Sequence, residues 1–203
     1  MIGLLKRIQK NKVLYLLIKR MMDVILSIIG LFIFFIPFIV IFFLIKFSSK
    51  GDVIYWSERI GQNNKIFKMP KFRTMRIDTP SIATHLLKKP EEWITPIGKI
   101  LRKYSLDEIP QLWSIILGKM SVVGPRPALY NQDDLINLRK KYNVDTLVPG
   151  LTGLAQIRGR DDLSIEDKVK VDREYLEKCS LIMDLNIILI TIKKVFISEN
   201  VNH

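Results

Sequence analysis

The sequence predicts an α-dominated α+β membrane protein, and three observations support this fold class. Residues 24–45 form an apolar run without a charged side chain. Two strand-like runs flank a polar turn at residues 61–64, as in a short β-hairpin. Several later segments show the apolar spacing of amphipathic helices. We therefore expect residues 1–47 to form a basic N-terminus and a membrane helix, and residues 48–203 to form a membrane-associated domain.

The N-terminal segment is basic and partly apolar. Residues 1–22 contain six Lys and Arg residues and no acidic residue before Asp23. Aliphatic side chains are interspersed among them, which is typical of an amphipathic helix on an anionic membrane surface. A solvated basic tail is the alternative that this pattern leaves open.

The apolar run at residues 24–45 has the length of a membrane segment. As a straight helix its 22 residues would measure about 33 Å, against a hydrocarbon core of about 30 Å. Six basic residues precede it, and residues 46–76 carry eight basic and two acidic residues, so both flanks have a charge of +6. Symmetric flanks favour a segment that returns to the side it entered, and Pro37 offers the bend. Charge and Pro37 alone leave a single spanning helix as the alternative.

The hairpin ends in KFRTM at residues 71–75, where Lys71 and Arg73 should alternate onto one face. That face could meet a phosphate or lipid head groups. Residues 78–92 are predicted to form a surface loop with at most one short helix, at residues 84–88. Longer helices are expected at residues 111–117, 131–141, 164–177 and 181–197. Ser164 should cap the helix at 164–177, and the charges within 181–197 favour a helix packed on the domain or lying in the interface.

Composition limits the chemistry available to the protein. The formal charge of +12 indicates an anionic partner, which could be nucleic acid, lipid head groups or a phosphorylated substrate. The single cysteine, Cys179, rules out an intramolecular disulfide and a thiolate metal cluster. With only His85 and His203, a histidine-based zinc site is not expected. Catalysis would have to use carboxylates and arginines.

The adjacent acids Asp107 and Glu108 are the main candidates for chemistry. Ser105 and Glu108 have the spacing of a capping box, which would place both acids in a first helical turn where negative charge is favoured. Asp107 would then be ionised and able to attack an electrophile, and Glu108 could hold a hard divalent cation. Alternatively, the helix starts nearer Ile109 and the acids lie on the loop before it. Capping boxes alone are more often structural than catalytic.

Arginines and glycines follow in two further motifs. GPRP at residues 124–127 has two prolines that stiffen the backbone around Arg126, a planar cation suited to phosphate. PGLTGLAQIRGR at residues 149–160 is predicted to be a loop whose backbone can approach an anion, with Arg158 and Arg160 beside it. Each motif by itself is a weak signal.

Taken together, these motifs resemble the bacterial sugar transferases, the monotopic phosphoglycosyl transferases. The resemblance rests on Lys19 and Arg20 before Asp23, KFRTM at 71–75, LRKYSLDEIPQL at 101–112, VGPRP at 123–127 and PGLTGLAQIRGR at 149–160. It covers residues 19–196. The length is similar to that of the minimal catalytic form of the family.

The resemblance implies transfer of a sugar 1-phosphate from a UDP-sugar to undecaprenyl phosphate, with release of UMP. It gives Asp107 the role of the nucleophile that forms a covalent phosphosugar intermediate, and Glu108 the role of Mg²⁺ ligand. Arg102 and Arg126 would complete the catalytic group. The substrate-binding candidates are Lys71, Arg73, Arg158, Arg160 and Asp172.

The resemblance also implies a location and partners. The membrane helix would be re-entrant at Pro37, with the catalytic domain on the cytoplasmic face of the bacterial inner membrane. The expected partners are the UDP-sugar, undecaprenyl phosphate and an anionic phospholipid membrane, with no nucleic acid; a homodimer is left open. The donor would be an N-acetylated amino sugar, as short members of the family commonly use.

The chain departs from the family pattern at three positions. Ile36 stands where a small polar residue often precedes the proline, Leu154 stands where tryptophan is usual, and Arg158 stands where asparagine is common. Two other functions compete with phosphoglycosyl transfer. One is a membrane-anchored glycosyltransferase that releases UDP, and the other is a non-catalytic basic membrane adaptor.

Overall fold

The computed structural model describes residues 2–79, 89–159 and 162–197. The helices are α1 (Ile2–Ile33), α2 (Phe35–Ser48), α3 (Pro90–Trp93), α4 (Pro96–Lys103), α5 (Gln111–Ile116), α6 (Asp133–Lys141), α7 (Leu154–Arg158), α8 (Ile165–Lys178) and α9 (Leu181–Ile197). The strands are β1 (Ile54–Ile60), β2 (Ile66–Phe72), β3 (Ser121–Val123) and β4 (Gly150–Thr152). Helices dominate and the sheets are small, which confirms the predicted α+β composition.

The apolar N-terminal region is a bent pair of helices. Within the described residues no single helix has the length and hydropathy of a membrane span, whereas Val13–Ile33 and Phe35–Ser48 meet the test together, bent by 61°. Pro37 explains where the bend lies. It has no N–H to donate to the carbonyl of Ile33, and its ring would collide with that carbonyl in a straight helix. The helix therefore breaks at Phe34, and the bend predicted at Pro37 is confirmed.

Large apolar side chains cover the outside of the bent pair. Phe32, Ile36 and Phe47 are each more than 70% exposed, at 85%, 71% and 82%. Exposed apolar area on this scale is costly in water and is typical of surfaces that meet lipid or another protein.

The predicted β-hairpin is present, with β1 antiparallel to β2 in a register from Ile54 opposite Phe72 to Ile60 opposite Ile66. A short 3₁₀ turn, Gln62–Asn64, connects the strands, and two of its residues have positive φ angles, Asn63 at 54° and Asn64 at 58°. Asparagine tolerates this region well, so the polar turn was a reliable sequence signal.

A second sheet forms at the centre of the domain. Strands β3 and β4 are parallel, with Ser121 opposite Gly150 and Val123 opposite Thr152. The stretch at residues 149–160, predicted as a loop, thus contains a strand and the short helix α7. These elements were not predicted because they are very short: a strand of three residues does not show the alternation of apolar and polar residues by which strands are recognised.

Helix α1 is attached to the domain through polar contacts. The guanidinium of Arg20 donates to the carbonyls of Ile115 and Ile116 at 2.6 and 2.7 Å, at the C-terminus of α5. The helix dipole also favours a positive charge at this end of the helix. Asp23 accepts the backbone N–H of Val122 in β3 at 2.9 Å. The segment predicted as residues 1–47 therefore binds α5 and β3, the two elements that follow the acidic pair in the chain.

Asp184 of α9 is a buried centre of hydrogen bonding. It accepts from Tyr15 and Lys19 of α1, each at 3.0 Å, and from Tyr175 of α8 at 2.6 Å. Three donors satisfy a carboxylate that has no solvent exposure. Helix α9 also packs against α7, β3 and β4, which confirms the prediction of a helix packed on the domain.

The other predicted helices are largely confirmed. Ser164 caps α8 by accepting the N–H of Asp167 at 3.1 Å. Helices α5 and α6 lie where the apolar spacing placed them, at Gln111–Ile116 and Asp133–Lys141. The helix predicted at residues 84–88 lies outside the described residues.

Candidate active site

The acidic pair lies in a 3₁₀ turn, Leu106–Glu108, between α4 and α5. The predicted capping box is wrong, because Ser105 has φ 53° and ψ 23° and makes no capping hydrogen bond. Ser105 instead takes the left-handed position that ends α4, with its N–H bonded to the carbonyl of Arg102 at 3.1 Å. Helix α5 begins at Gln111, so the alternative, with the acids on the segment that leads into this helix, is the observed arrangement.

Glu108 is held between two cations. Its Oε1 accepts from Nζ of Lys71 at 2.8 Å and from Nη2 of Arg126 at 3.0 Å. The Glu108 side chain is 11% exposed and that of Lys71 16% exposed, so both charges are largely removed from water. Charge-assisted hydrogen bonds in such surroundings are stronger and shorter than neutral ones.

Asp107 is buried next to this pair, with a residue exposure of 7%. Its Oδ2 lies 3.9 Å from Nζ of Lys71. Burial raises the pKa of Asp107, and the negative charge of Glu108 raises it further. The positive charges of Lys71, Arg102 and Arg126 lower it. The expectation that a helix terminus favours the ionised form is not met, since the desolvation of the carboxylate is the largest influence.

Both predicted catalytic arginines lie near the acids. Arg102 donates from Nε to Oγ1 of Thr74 at 2.9 Å and lies close enough for its charge to lower the pKa of Asp107. Arg126 contacts Glu108 and keeps 31% of its side chain exposed. The structure thus brings Asp107, Glu108, Arg102 and Arg126 together, with Lys71 as a fifth member.

Arg59 is a further cation of this cluster that the sequence analysis missed. It donates to Oγ of Ser57 at 2.9 Å and to the carbonyl of Pro127 at 3.2 Å. Burial lowers its pKa to about 10; the charge of Arg126 adds to this and that of Glu108 opposes it. Arg59 belongs to the hairpin, and only the packing of the hairpin on the GPRP segment reveals its place. Four cations, Arg59, Lys71, Arg102 and Arg126, therefore surround two carboxylates.

The remaining substrate-binding candidates lie elsewhere. Arg73 is outside β2 and donates to the carbonyl and hydroxyl of Ser49 at 3.0 and 2.8 Å, at the end of α2. Lys71 bonds instead to Glu108, so the two side chains reach different partners. Arg158 pairs with Glu174 on the surface, and Arg160 lies outside the described residues.

Asp172 is 1% exposed and pairs with Arg139. Its Oδ2 accepts from Nε and Nη2 of Arg139 at 3.1 and 2.7 Å. Nη1 of Arg139 donates to the backbone carbonyl of Arg126 at 2.8 Å. Asp172 is therefore linked to the acidic pair through two arginines and does not reach it directly.

The glycines of residues 149–160 serve close packing of the backbone. A Cβ on Gly150 would lie 2.1 Å from the backbone nitrogen of Gly124. A Cβ on Gly153 would lie 2.1 Å from the carbonyl oxygen of Gly124. No side chain fits at these distances, so only glycine lets this stretch lie against the start of the GPRP segment. This contact explains the glycines without an anion.

The site offers a divalent cation two carboxylates, those of Asp107 and Glu108. Among the described residues no group of three or more His, Cys, Asp or Glu side chains could hold a metal. Mg²⁺ is usually bound by one or two carboxylates together with substrate phosphates and water. Asp107 and Glu108 suit that arrangement, in which the substrate completes the coordination.

Comparison with known proteins gives the family. The model of the family described as bacterial sugar transferase matches residues 14–198. The exopolysaccharide production protein ExoY of Rhizobium meliloti is 40% identical over 196 residues, covering 89% of this chain and 86% of that protein. The UDP-glucose:undecaprenyl-phosphate glucose-1-phosphate transferase of Klebsiella pneumoniae is 37% identical over 189 residues, covering 90% of this chain and 41% of that protein.

A third relative is the galactosyl transferase CpsE of Streptococcus agalactiae, which is 37% identical over 197 residues and is matched over 43% of its length. The family match includes every described member of the acid and cation cluster. The chain therefore belongs to the bacterial sugar transferase family and is a phosphoglycosyl transferase.

Proposed function

We propose that this enzyme transfers a sugar 1-phosphate from a UDP-sugar to undecaprenyl phosphate and releases UMP, as a membrane step in the assembly of a surface glycan. The name of the Klebsiella pneumoniae relative supports the donor and acceptor classes, and the ExoY relatives support a role in exopolysaccharide production. The observation that carries the proposal is the buried carboxylate of Asp107 beside Glu108, which two cations hold in place.

The reaction would proceed by two displacement steps, with Asp107 as the nucleophile of the first and the leaving group of the second. In the first, a carboxylate oxygen attacks the β-phosphorus of the UDP-sugar, the bond from that phosphorus to the bridging oxygen breaks, and UMP leaves with the electron pair. In the second, an oxygen of undecaprenyl phosphate attacks the same phosphorus and releases the Asp107 carboxylate. A desolvated carboxylate is a stronger nucleophile than a hydrated one, and the charges of Lys71, Arg102 and Arg126 favour its ionised form.

The cations would bind and stabilise the phosphates. Arg126 is partly exposed and Lys71 lies between both acids, so a diphosphate placed over Asp107 would meet both. Because four cations face two carboxylates, positive charge remains after the internal ion pairs are counted. Donors fixed in advance around a transferring phosphoryl group stabilise the charge that develops in the transition state.

Glu108 would hold Mg²⁺ together with the diphosphate. When bound, the ion would neutralise phosphate charge and help UMP to depart. Lys71 and Arg126 fix the position of one oxygen of this carboxylate, Oε1.

The bent pair α1–α2 would lie in the cytoplasmic membrane as a re-entrant hairpin, with the catalytic domain on the cytoplasmic face. The break at Phe34, the exposed apolar side chains on both helices and the equally basic flanks support this placement. Arg73 would then hold the end of α2 at the head-group level, where it could also meet a lipid phosphate.

We expect an N-acetylated amino sugar as the donor, while the names of the relatives specify glucose and galactose. The test therefore uses a panel of UDP-sugars that includes all three kinds. Detergent-purified enzyme is incubated with undecaprenyl phosphate and Mg²⁺, and UMP and UDP are measured separately.

UMP release that depends on the lipid would support the proposal and identify the sugar. Release of UDP would indicate a membrane-anchored glycosyltransferase instead. Absence of both nucleotides with every donor would contradict the proposal.

A further inference from the structure

Lys71 and Arg126 both form ion pairs with the acids, and Arg126 has the more exposed side chain of the two. The backbone around Arg126 is held by several hydrogen bonds. The segment Gly124-Pro125-Arg126-Pro127 leaves β3 and starts with bonds to β4, from the N–H of Gly124 to Thr152 and from Gly150 to the carbonyl of Pro125, at 2.8 and 2.9 Å. These bonds fix the beginning of the segment. The next two carbonyls, of Arg126 and Pro127, are bound by side chains from other elements.

Arg139 of α6 supplies the first partner. Its Nη1 donates to the carbonyl of Arg126 at 2.8 Å, and its other two nitrogens bind Asp172 of α8. Both side chains of the ion pair are nearly inaccessible, at 10% and 2% exposure. A buried pair of this kind is rigid, because breaking it would leave an uncompensated charge in the interior.

Arg59 of β1 supplies the second partner. Its Nη1 donates to the carbonyl of Pro127 at 3.2 Å, and its Nε is held by the hydroxyl of Ser57. The next residue of the strand, Ile60, adds a backbone bond to Ala128 at 2.9 Å. Two consecutive carbonyls are therefore bound by two guanidinium groups that come from different elements.

These backbone bonds also orient the side chain of Arg126. With φ fixed by proline at residues 125 and 127 and both carbonyls bound, the direction of its Cβ is set, and its Nη2 reaches Oε1 of Glu108 at 3.0 Å. We propose that Arg59, Arg139 and Asp172 are positioning residues that hold Arg126 where it binds the phosphate of the sugar nucleotide. This inference rests on the proposed function, and it gives Asp172 a role through Arg139 instead of through the substrate.

The expected effect follows from how steeply catalysis depends on placement. A displacement of about 1 Å of a group that contacts the reacting atoms can lower the rate by about 10²-fold. Asp172→Asn removes the charge that holds Arg139, and Arg59→Met removes the donor to Pro127. Each should lower kcat by about 10- to 100-fold and raise KM by a smaller factor, because Arg126 would contact the phosphate in the bound nucleotide and more strongly in the transition state. Ser57→Ala, which only loosens Arg59, should give a smaller loss of the same kind.

The test is a double-mutant cycle with Arg126→Ala. If Asp172 acts through Arg126, then adding Asp172→Asn to Arg126→Ala should lower kcat by less than about 3-fold, since the group being positioned is already absent. Arg173→Gln is the matched control on the same helix; Arg173 is exposed and pairs with Glu177, so this variant should keep the activity of the parent enzyme. Thermal unfolding of every variant shows whether a loss of rate reflects a loss of folded protein.

Equilibrium binding of UDP, followed by titration calorimetry, provides a second measurement that does not require turnover. Asp172→Asn should weaken UDP binding in the parent and not in the Arg126→Ala background. Equal losses in both backgrounds, no loss in either, or no UDP binding by the parent would overturn the positioning role. Failure of the proposed reaction would be seen separately, as absence of UMP release from a parent enzyme that still binds UDP.

Discussion

Replacing Asp107 with asparagine should abolish transfer and leave the fold nearly unchanged. The amide of asparagine fills the same space but cannot form the acyl phosphate, so turnover should fall by at least about 10³-fold. The carboxylate is 7% exposed and makes its nearest ion pair with Lys71 at 3.9 Å. Lys71 should keep its closer bond to Glu108, which is 2.8 Å in the parent.

The effect on stability can be worked out from that geometry. At an effective dielectric constant of about 20, opposite charges 3.9 Å apart attract by about 4 kcal/mol, and burying a carboxylate costs several kcal/mol. The two contributions nearly cancel, so the free energy of unfolding should change by no more than about 2 kcal/mol, or up to about 8 °C in Tm.

The pKa of Asp107 also determines the direction of the change in stability. Because the pKa of Asp107 is raised, the ionised carboxylate costs stability at neutral pH. The asparagine variant should then unfold at an equal or higher temperature than the parent at pH 8. Its advantage should disappear as the pH falls through the raised pKa, where the parent carboxyl becomes neutral.

Three measurements check this prediction. Lipid-dependent UMP release gives turnover, thermal unfolding at pH 5 and pH 8 gives the stability difference, and intact-mass spectrometry after incubation with a UDP-sugar without lipid detects the covalent adduct. The parent should gain the mass of a sugar phosphate and the variant should not. Asp78→Asn, which changes an exposed carboxylate paired with Arg76, is the control and should behave as the parent. Turnover within tenfold of the parent would refute Asp107 as the nucleophile.

Three further predictions concern the metal, the pH dependence and the bend. Removal of divalent cations by EDTA should abolish UMP release and added Mg²⁺ should restore it; unchanged turnover in EDTA would exclude a metal role for Glu108. Because the charge of Glu108 raises the pKa of Asp107, Glu108→Gln should move the acid limb of the kcat/KM profile to lower pH in the residual activity, and an unmoved limb would show that Asp107 does not control it. Pro37→Ala restores the donor to the carbonyl of Ile33 and should straighten the α1–α2 pair. A cysteine-labelling assay should then find part of the N-termini on the opposite side of the membrane from the catalytic domain, whereas labelling on the same side as in the parent would contradict a re-entrant bend that depends on Pro37.

Features that depend on neighbours in the chain were predictable. The hairpin turn at residues 61–64, the Ser164 cap of α8 and the bend near Pro37 each follow from the preferences of a few adjacent residues. The role of Ser105 was misjudged for a related reason. Its spacing to Glu108 fits a cap, but the same residue is needed to end α4 in the left-handed conformation, and one residue cannot adopt both backbone geometries.

By itself the sequence determined the membrane-type segment, the hairpin, most of the helices and the acidic pair with Arg102 and Arg126, since composition, spacing and motif order carry that information. Only the tertiary structure decided which cations accompany the acids. Arg59 and Lys71 reach them from the hairpin, while Arg73 and Arg158 turn to Ser49 and Glu174. The physical reason is that the direction of a long side chain is set by the elements packed around it, and those contacts join residues far apart in the chain.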